Sequence, residues 1–346
     1  MLYALDLGNK QTKLKSEKME KVLPSYFVET SLYGNRDFFA SLKAKKDSKD
    51  FESINDQGYT YAWGTELGVE SIGQVTDTSG FGLSRYTSRE FQLLVDFALA
   101  ELAYEEGTNN TVYVDVVTGL PSGDFKSTQI LQAVAKAIKG VHAVSVNGTK
   151  INVCVEKLFI VPQPLGTIYN IIANEKGVIV DSQYLNANVG VVDIGGGTVL
   201  IDALKSMNLV DDNRDQLQTG AYSLYKSITT ELSSSDIILT EYELERVIRL
   251  NSGLWSPNGN AEIDLNPAIQ NQSKAYTRRL TSSIKTTYKG FGRMQKILLT
   301  GGTANLLDLD ELKVELRGLA HIVEDSELAN VRGFFKYGQQ KVRDNV

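Results

Sequence analysis

Two aspartates, each two residues ahead of a glycine at the end of an apolar run, carry the most legible chemistry in this chain. They are Asp6 in LYALDLGNKQTKLKS and Asp193 in VGVVDIGGGTVLIDAL. Glycine-rich turns that hold phosphate usually hand the chain to a helix, whose N-terminal N–H groups face the anion. Here Val199, Leu200, Ile201 and Ala203 continue with β-branched and apolar residues, so a hairpin is expected instead. With no β-carbon in the way, the N–H groups of Gly195, Gly196, Gly197 and Thr198 can converge on anionic oxygen. Gly8, Asn9 and Lys10 offer the same in the first copy. Two carboxylates beside a polyphosphate repel it unless a hard cation lies between them. Mg²⁺ is the expected ion, because it binds through one or two carboxylates plus phosphate oxygens and water. Asp6 and Asp193 are therefore the expected metal residues. Lys13 is the preferred cationic contact to the phosphates, with Lys10 also near them.

A third glycine pair, Gly301-Gly302, ends the apolar run KILLT and precedes Thr303, Ala304 and Asn305. It suits close backbone approach to a nucleoside, and Gly220, ahead of a helical stretch, suits the ribose side. The two Asp-x-Gly stretches share one layout: apolar strand, aspartate, apolar residue, glycine, polar turn, second strand. Each opens an α/β block, so a duplicated domain is expected, with the two turns facing each other across a cleft.

The remaining elements follow from periodicity and punctuation. Thr87 and Glu90 have capping-box spacing ahead of the stripe Phe91, Leu94, Val95, Ala98 and Leu102, which predicts a helix ended by Gly107. Residues 127–139 predict a helix closed by Gly140, and Asn147-Gly148 a tight hairpin. KLFIVPQPLGTIYNIIAN (157–174) predicts a strand, a proline-framed crossing and a helix. Thr240 and Glu243 cap another helix, 273–289 form a third, and 329–338 a closing helix that packs Phe334 and Phe335. The charge run 42–53 is expected to be a solvated loop or helix face, and DDNRD (211–215) an acidic loop. Strands alternating with helices make the fold class α/β.

At 346 residues the chain is long enough for two domains. A net charge of −6 argues against a general nucleic-acid or anionic-membrane binder. Cys154 is the only cysteine, which rules out an intramolecular disulfide and fits a reducing cytoplasm. No apolar run approaches the roughly 20 residues that a spanning helix needs. His142 and His321 are too few and too scattered for a metal site. Most aromatics are expected in the core, with FGLSRYTSREF a candidate for contacts between copies.

The order Asp-x-Gly hairpin, Asp-Ile-Gly-Gly-Gly hairpin and Leu-Thr-Gly-Gly resembles the two phosphate motifs and the adenosine motif of the actin, Hsp70 and sugar-kinase superfamily. DLGNKQTKLKS, VVTGLP, VDIGGGTVLID, LLTGGTANLL and ANVRGFFKYG resemble the ParM-type actin-like ATPases that segregate plasmids in bacteria, above all the staphylococcal-plasmid form. The resemblance implies an actin-like (ribonuclease H-like) fold of two related domains around a nucleotide cleft, residues 1–162 plus 327–346 and residues 163–326. It implies ATP with Mg²⁺ as cofactors, although no motif here separates ATP from GTP. Asp6 and Asp193 are similar to the residues that hold the Mg²⁺ water shell, and Lys13 to the lysine that reaches the β- and γ-phosphates. Gln163 in VPQPLG stands where bacterial members often carry a catalytic glutamate. A neutral amide orients the attacking water through hydrogen bonds and cannot act as a base. The implied partners are further copies of the chain, in a filament, and a ParR-type centromere-binding adaptor on plasmid DNA, with no direct nucleic-acid or membrane contact. Two other readings stay open at this point: a small-molecule kinase of the same superfamily, and a monomeric Hsp70-like or sensory ATPase.

Overall fold

The structure is a computed structural model that describes residues 1–33, 48–65, 75–257 and 261–344. LYALDL is apolar at all but one position, the pattern of a strand covered on both faces, and it forms β1 (Leu2–Leu7), buried throughout. β1 turns back into β2 (Gln11–Lys15), which pairs with β3 (Glu20–Pro24), both antiparallel. Its other edge pairs in parallel with β8 (Thr111–Leu120), and β10 (Thr149–Pro162) joins β8 in parallel. β9 (Gly140–Val146), β5 (Ser48–Ser53), β6 (Tyr61–Gly64), β4 (Tyr26–Glu29) and β7 (Val75–Asp77) complete this sheet of ten strands.

A second sheet is built around β11 (Asn188–Ile194) and β12 (Val199–Lys205), an antiparallel hairpin as expected. β13 (Asn208–Leu209) and β14 (Asp215–Leu217) line the far edge of β12. On the other side β17 (Lys296–Thr300) pairs in parallel with β11, and β18 (Ala320–Ile322) in parallel with β17. A separate small pair, β15 (Leu254–Trp255) and β16 (Ile263–Asp264), lies off this sheet. The order β13-β12-β11-β17-β18 repeats β3-β2-β1-β8-β10, with the same succession of antiparallel and parallel pairings. The internal echo in the sequence is thus an echo in topology.

By contact the chain divides into two compact units, Met1–Asp181 with Asn330–Val346, and Ser182–Ala329. The expected boundaries at 162/163 and 326/327 differ from this by residues 163–181, which include the helix Gln163–Ile172, and by residues 327–329. That helix packs against the terminal helix Ala329–Asp344 so tightly that a β-carbon at Gly333 would lie 1.7 Å from the Gly166 carbonyl oxygen. Phe334 and Phe335 are buried there, as expected.

In the first unit, Phe27, Phe51, Tyr61 and Trp63 pack around Phe97 of the helix Arg89–Glu105, with ring centroids 5.0–6.3 Å apart. The same helix buries Asp96, which accepts hydrogen bonds from Ser53 Oγ, Asn55 Nδ2 (2.9 Å) and Gln92 Nε2 (3.1 Å). Asp96 Oδ1 also lies 2.7 Å from His142 Nδ1, and His142 Nε2 donates to the Ile138 carbonyl. His142 is therefore a structural core residue. Because Asp96→Ala strands several buried partners at once, it should destabilise the first unit by about 3 kcal/mol, read as a shift in the denaturant midpoint.

Several local expectations shift. Ser88, not Thr87, caps the helix at Arg89, accepting from Phe91 N; the Thr87 hydroxyl instead donates to the Leu83 carbonyl. Gly140 opens β9 at φ +120 and does not close the preceding helix, Thr128–Ile138. The third helix begins earlier, at Asn266 with Pro267 in its first turn, and runs to Thr287. DDNRD forms a 3₁₀ turn at Asp211–Asn213 and the start of β14. Of the charge run, 42–47 lie outside the described residues, and 48–53 are strand β5, whose Phe51 and Ser53 are buried. The cap at Thr240 is as expected, a full capping box with Glu243.

Candidate functional site

Ligands of α/β sheets gather beyond the carboxyl ends of parallel strands, and in both units that edge is where the aspartate turns lie. In the second unit half-buried Asp193 is the last residue but one of β11, in register with Leu200 of β12 and Thr300 of β17. The turn Gly195–Thr198 follows. The carbonyls of its three glycines are held from one side by the start of the helix Ala221–Ser233. Ala221 N donates to Gly195 O (2.9 Å), Tyr222 N to Gly196 O (3.0 Å) and Gly220 N to Gly197 O (3.3 Å). A trans peptide points its C=O and the following N–H in opposite directions. The N–H groups of Gly196, Gly197 and Thr198 therefore all face away from the helix, as three donors aimed one way. So a helix does serve this turn, through hydrogen bonds from its N-terminus to the turn's carbonyls. Gly220 is required for that approach, since a β-carbon on it would lie 2.5 Å from Gly195 O and 2.6 Å from Gly196 O.

Gly301 stands beside the same aspartate. It adopts φ +90, and a β-carbon there would lie 2.5 Å from both Asp193 Oδ1 and Ile194 O. Its N–H donates to Ser326 O, and Thr303 N donates to Ile194 O. The adjoining Gly302 is half-buried, and Asn305 is exposed on the 3₁₀ turn Ala304–Leu306. The second unit thus brings Asp193, Gly195, Gly196, Gly197, Thr198, Gly220 and Gly301 together, with Gly302 and Asn305 next in the chain.

The first unit assembles Asp6, Gly8, Asn9, Lys10 and Lys13 by the same plan with different supports. Asp6 is buried and in register with Lys13, whose ammonium lies 3.6 Å from its carboxylate. In the equivalent register position of the second turn, apolar Leu200 faces Asp193. The Gly8 carbonyl accepts from Ser25 Oγ (2.7 Å) and Arg85 Nη2 (2.9 Å), and the Lys10 carbonyl accepts from Ser25 N (3.0 Å). The same peptide argument turns the N–H groups of Asn9 and Gln11 the other way. Lys10 pairs with Asp77 at 3.6 Å, at a more exposed edge than Lys13. Gln163 is the first residue of the helix that follows β10. Register places it at the same sheet edge as Asp6, two strands away or about 10 Å.

Sequence reasoning missed Ser25 and Arg85. In FGLSRYTSREF, the candidate for contacts between copies, Phe81 and Leu83 are exposed while Arg85, Tyr86 and Phe91 are buried. Arg85 stacks 5.2 Å above the Phe91 ring and donates to Leu7 O (2.8 Å), Gly8 O and Thr78 O (3.2 Å). Burial lowers the guanidinium from its ordinary value, while Tyr86, Asp124 and Asp6 pull it up. An arginine remains protonated all the same.

Among the described residues no group of three or more His, Cys, Asp or Glu could hold a metal ion. Neither turn offers a complete cage, then. Asp6 and Asp193 each supply hard carboxylate oxygens of the kind Mg²⁺ takes one or two of, completing its shell with water and phosphate. Their chemistry fits that ion.

Residues 4–166 match the family model for the N-terminal domain of actin-like proteins, and residues 188–316 match the Alp7A C-terminal domain. No curated protein sequence matches the chain. Among solved structures, it is similar to apo psk41 ParM, at 23% identity and TM-score 0.76, over 99% of this chain and 98% of that one. It is similar to the archaeal actin homologue Ta0583 in complex with ADP, at 16% identity and TM-score 0.74, over 98% and 99%. It is also similar to the Alp12 filament structure, at 17% identity and TM-score 0.67, over 99% and 98%. These likenesses show the fold, an α/β actin-like architecture of two domains. With both domain signatures in order along one polypeptide, the chain belongs to the actin-like proteins.

Proposed function

We propose that this protein is an ATP-dependent, filament-forming actin-like protein that drives plasmid segregation and hydrolyses ATP on or after assembly. The observation that carries the reading is the duplicated aspartate turn, each copy with its carbonyls held from behind and its N–H groups turned outward. Such a turn is a preorganised anion site whose donors need no rearrangement as charge develops on a phosphoryl group. The family and the fold support it: one structural relative carries ADP and another was solved as a filament.

In this reading each turn binds the phosphates of a nucleotide. Gly196, Gly197 and Thr198 donate to its phosphates from the second unit, and Asn9 with Lys13 from the first, with Lys10 adding positive charge. Gly301, Gly302 and Asn305 approach the nucleoside, and Gly220 the ribose side. Asp6 and Asp193 would hold Mg²⁺ through its water shell; the ion supplies positive charge to the phosphates. Gln163 orients the attacking water. The protein works in the bacterial cytoplasm with a ParR-type adaptor on plasmid DNA. Among the described residues no helix is long and apolar enough to cross a membrane.

Light scattering and sedimentation after adding ATP and Mg²⁺ test the reading. Nucleotide-dependent pelleting is the expected result. Binding without assembly would favour a monomeric ATPase, and phosphate transfer to an added metabolite a kinase. Because a glutamine positions water without taking its proton, hydrolysis should be slow until assembly aligns it. Gln163→Ala should then slow phosphate release from polymer by roughly tenfold or more. Unchanged rates with and without polymer would remove Gln163 from the mechanism.

A further inference from the structure

Both turns present the same peptide orientation, yet what holds their carbonyls differs. The Gly195–Thr198 turn is backed by the neutral N–H groups of a helix start. The Gly8–Lys10 turn is backed by Ser25 and by the guanidinium of Arg85. That guanidinium is buried; it donates to the carbonyl oxygens of Leu7, Gly8 and Thr78, and the Tyr86 hydroxyl is its side-chain hydrogen-bonding neighbour. Among the described residues no carboxylate lies within ion-pair distance of it; Asp6 and Asp124 act on it only through longer-range attraction. A buried charge without a paired countercharge is unfavourable, and a negative charge on the open side of the turn relieves it. The carbonyl dipoles between guanidinium and ligand are oriented to carry that attraction through the turn. Their oxygens point back at Arg85, and the N–H of Asn9 points forward.

We propose that Arg85 is a positioning residue for the phosphates: it locks the Leu7 and Gly8 peptides with their N–H groups outward and makes the first turn an anion site. This deepens the proposed function and rests on nucleotide binding at these turns. Ser25 is the second brace. It holds the Gly8 and Lys10 carbonyls and is itself fixed by Thr78, whose N–H and hydroxyl both donate to the Ser25 carbonyl. The stretch 78–85 thus grips the turn at two points, and neither Arg85 nor Ser25 touches the nucleotide.

The test compares Mg²⁺·ATP with adenosine, which lacks the phosphates, as calorimetric ligands of the unaltered protein and of Arg85→Gln, Arg85→Lys and Ser25→Ala. Arg85→Gln should weaken ATP binding by roughly tenfold or more, the scale of lost charge-assisted bonds. Arg85→Lys, which keeps the charge but replaces a planar fork with a point donor, should fall between it and the unaltered protein. Adenosine affinity should stay the same in every folded variant. The proposal fails if ATP affinity is unchanged, or if ATP and adenosine weaken by one factor, which would mark general loosening. If Arg85→Gln does not fold, Arg85→Lys and Ser25→Ala decide by the same ratio. Should the unaltered protein bind no Mg²⁺·ATP, the proposed function falls and this inference with it; unaltered binding with unaffected variants overturns the inference alone.

Discussion

Asp193→Ala should lower ATP hydrolysis by roughly a hundredfold or more while leaving the protein folded. The side chain sits at the carboxyl end of β11 with Gly301 so close that a β-carbon there would crowd its carboxylate. Being half-buried at the edge of the sheet, it can be truncated without opening the core between β11 and the helices that cover it. In the proposed mechanism, removing it takes away a carboxylate that would hold Mg²⁺, whose positive charge would offset the negative charge of the phosphates. Phosphate release at saturating ATP and Mg²⁺, with circular dichroism as the control for folding, measures the effect. A rate within threefold of the unaltered protein would show that this carboxylate is not part of the chemistry.

Gly220→Ala should be nearly as damaging by another route. The backbone at Gly220, φ −72 and ψ −164, is open to any residue, so the cost is contact and not strain. A β-carbon there meets Gly195 O, Gly196 O and Gly196 C at 2.5–2.7 Å, all backbone atoms that no rotamer change can move. The helix start must back away, breaking the bonds from Ala221 and Tyr222 that orient the turn. We expect a loss of about 2–4 kcal/mol in stability and a weakening of ATP binding by more than tenfold. Gly197→Ala is the comparison, because a β-carbon at Gly197 meets nothing within 4 Å. Denaturant melts of the two variants decide the matter: equal stabilities would mean the helix–turn contact does not carry the load assigned to it.

What the sequence reveals and conceals follows from the range of the interactions. The strand–turn–strand repeats were legible because apolar runs, Asp-x-Gly spacing and glycine runs are local, and β1–β2 and β11–β12 form as read. So were the Thr240 capping box and the buried Phe334. The devices that orient the turns were not legible. Gly220 reaches back across three strands and their connections to the Gly195 loop. Arg85 lies 77 residues from Gly8 along the chain. Nothing local in RYTSREF says that its first residue is buried under a distant hairpin. The charge run failed as a surface signal for a related reason: in KDFES alternate residues turn inward, and pairing of β5 with β6 and β9 decides which.

The most direct test of the central claim is a calorimetric titration of the unaltered protein with ATP, with and without Mg²⁺, repeated on Asp6→Ala and Asp193→Ala. The account predicts one magnesium-linked binding event per chain, weakened by either substitution and abolished by both. Binding that ignores magnesium and survives the double substitution, or no binding at all, would contradict it.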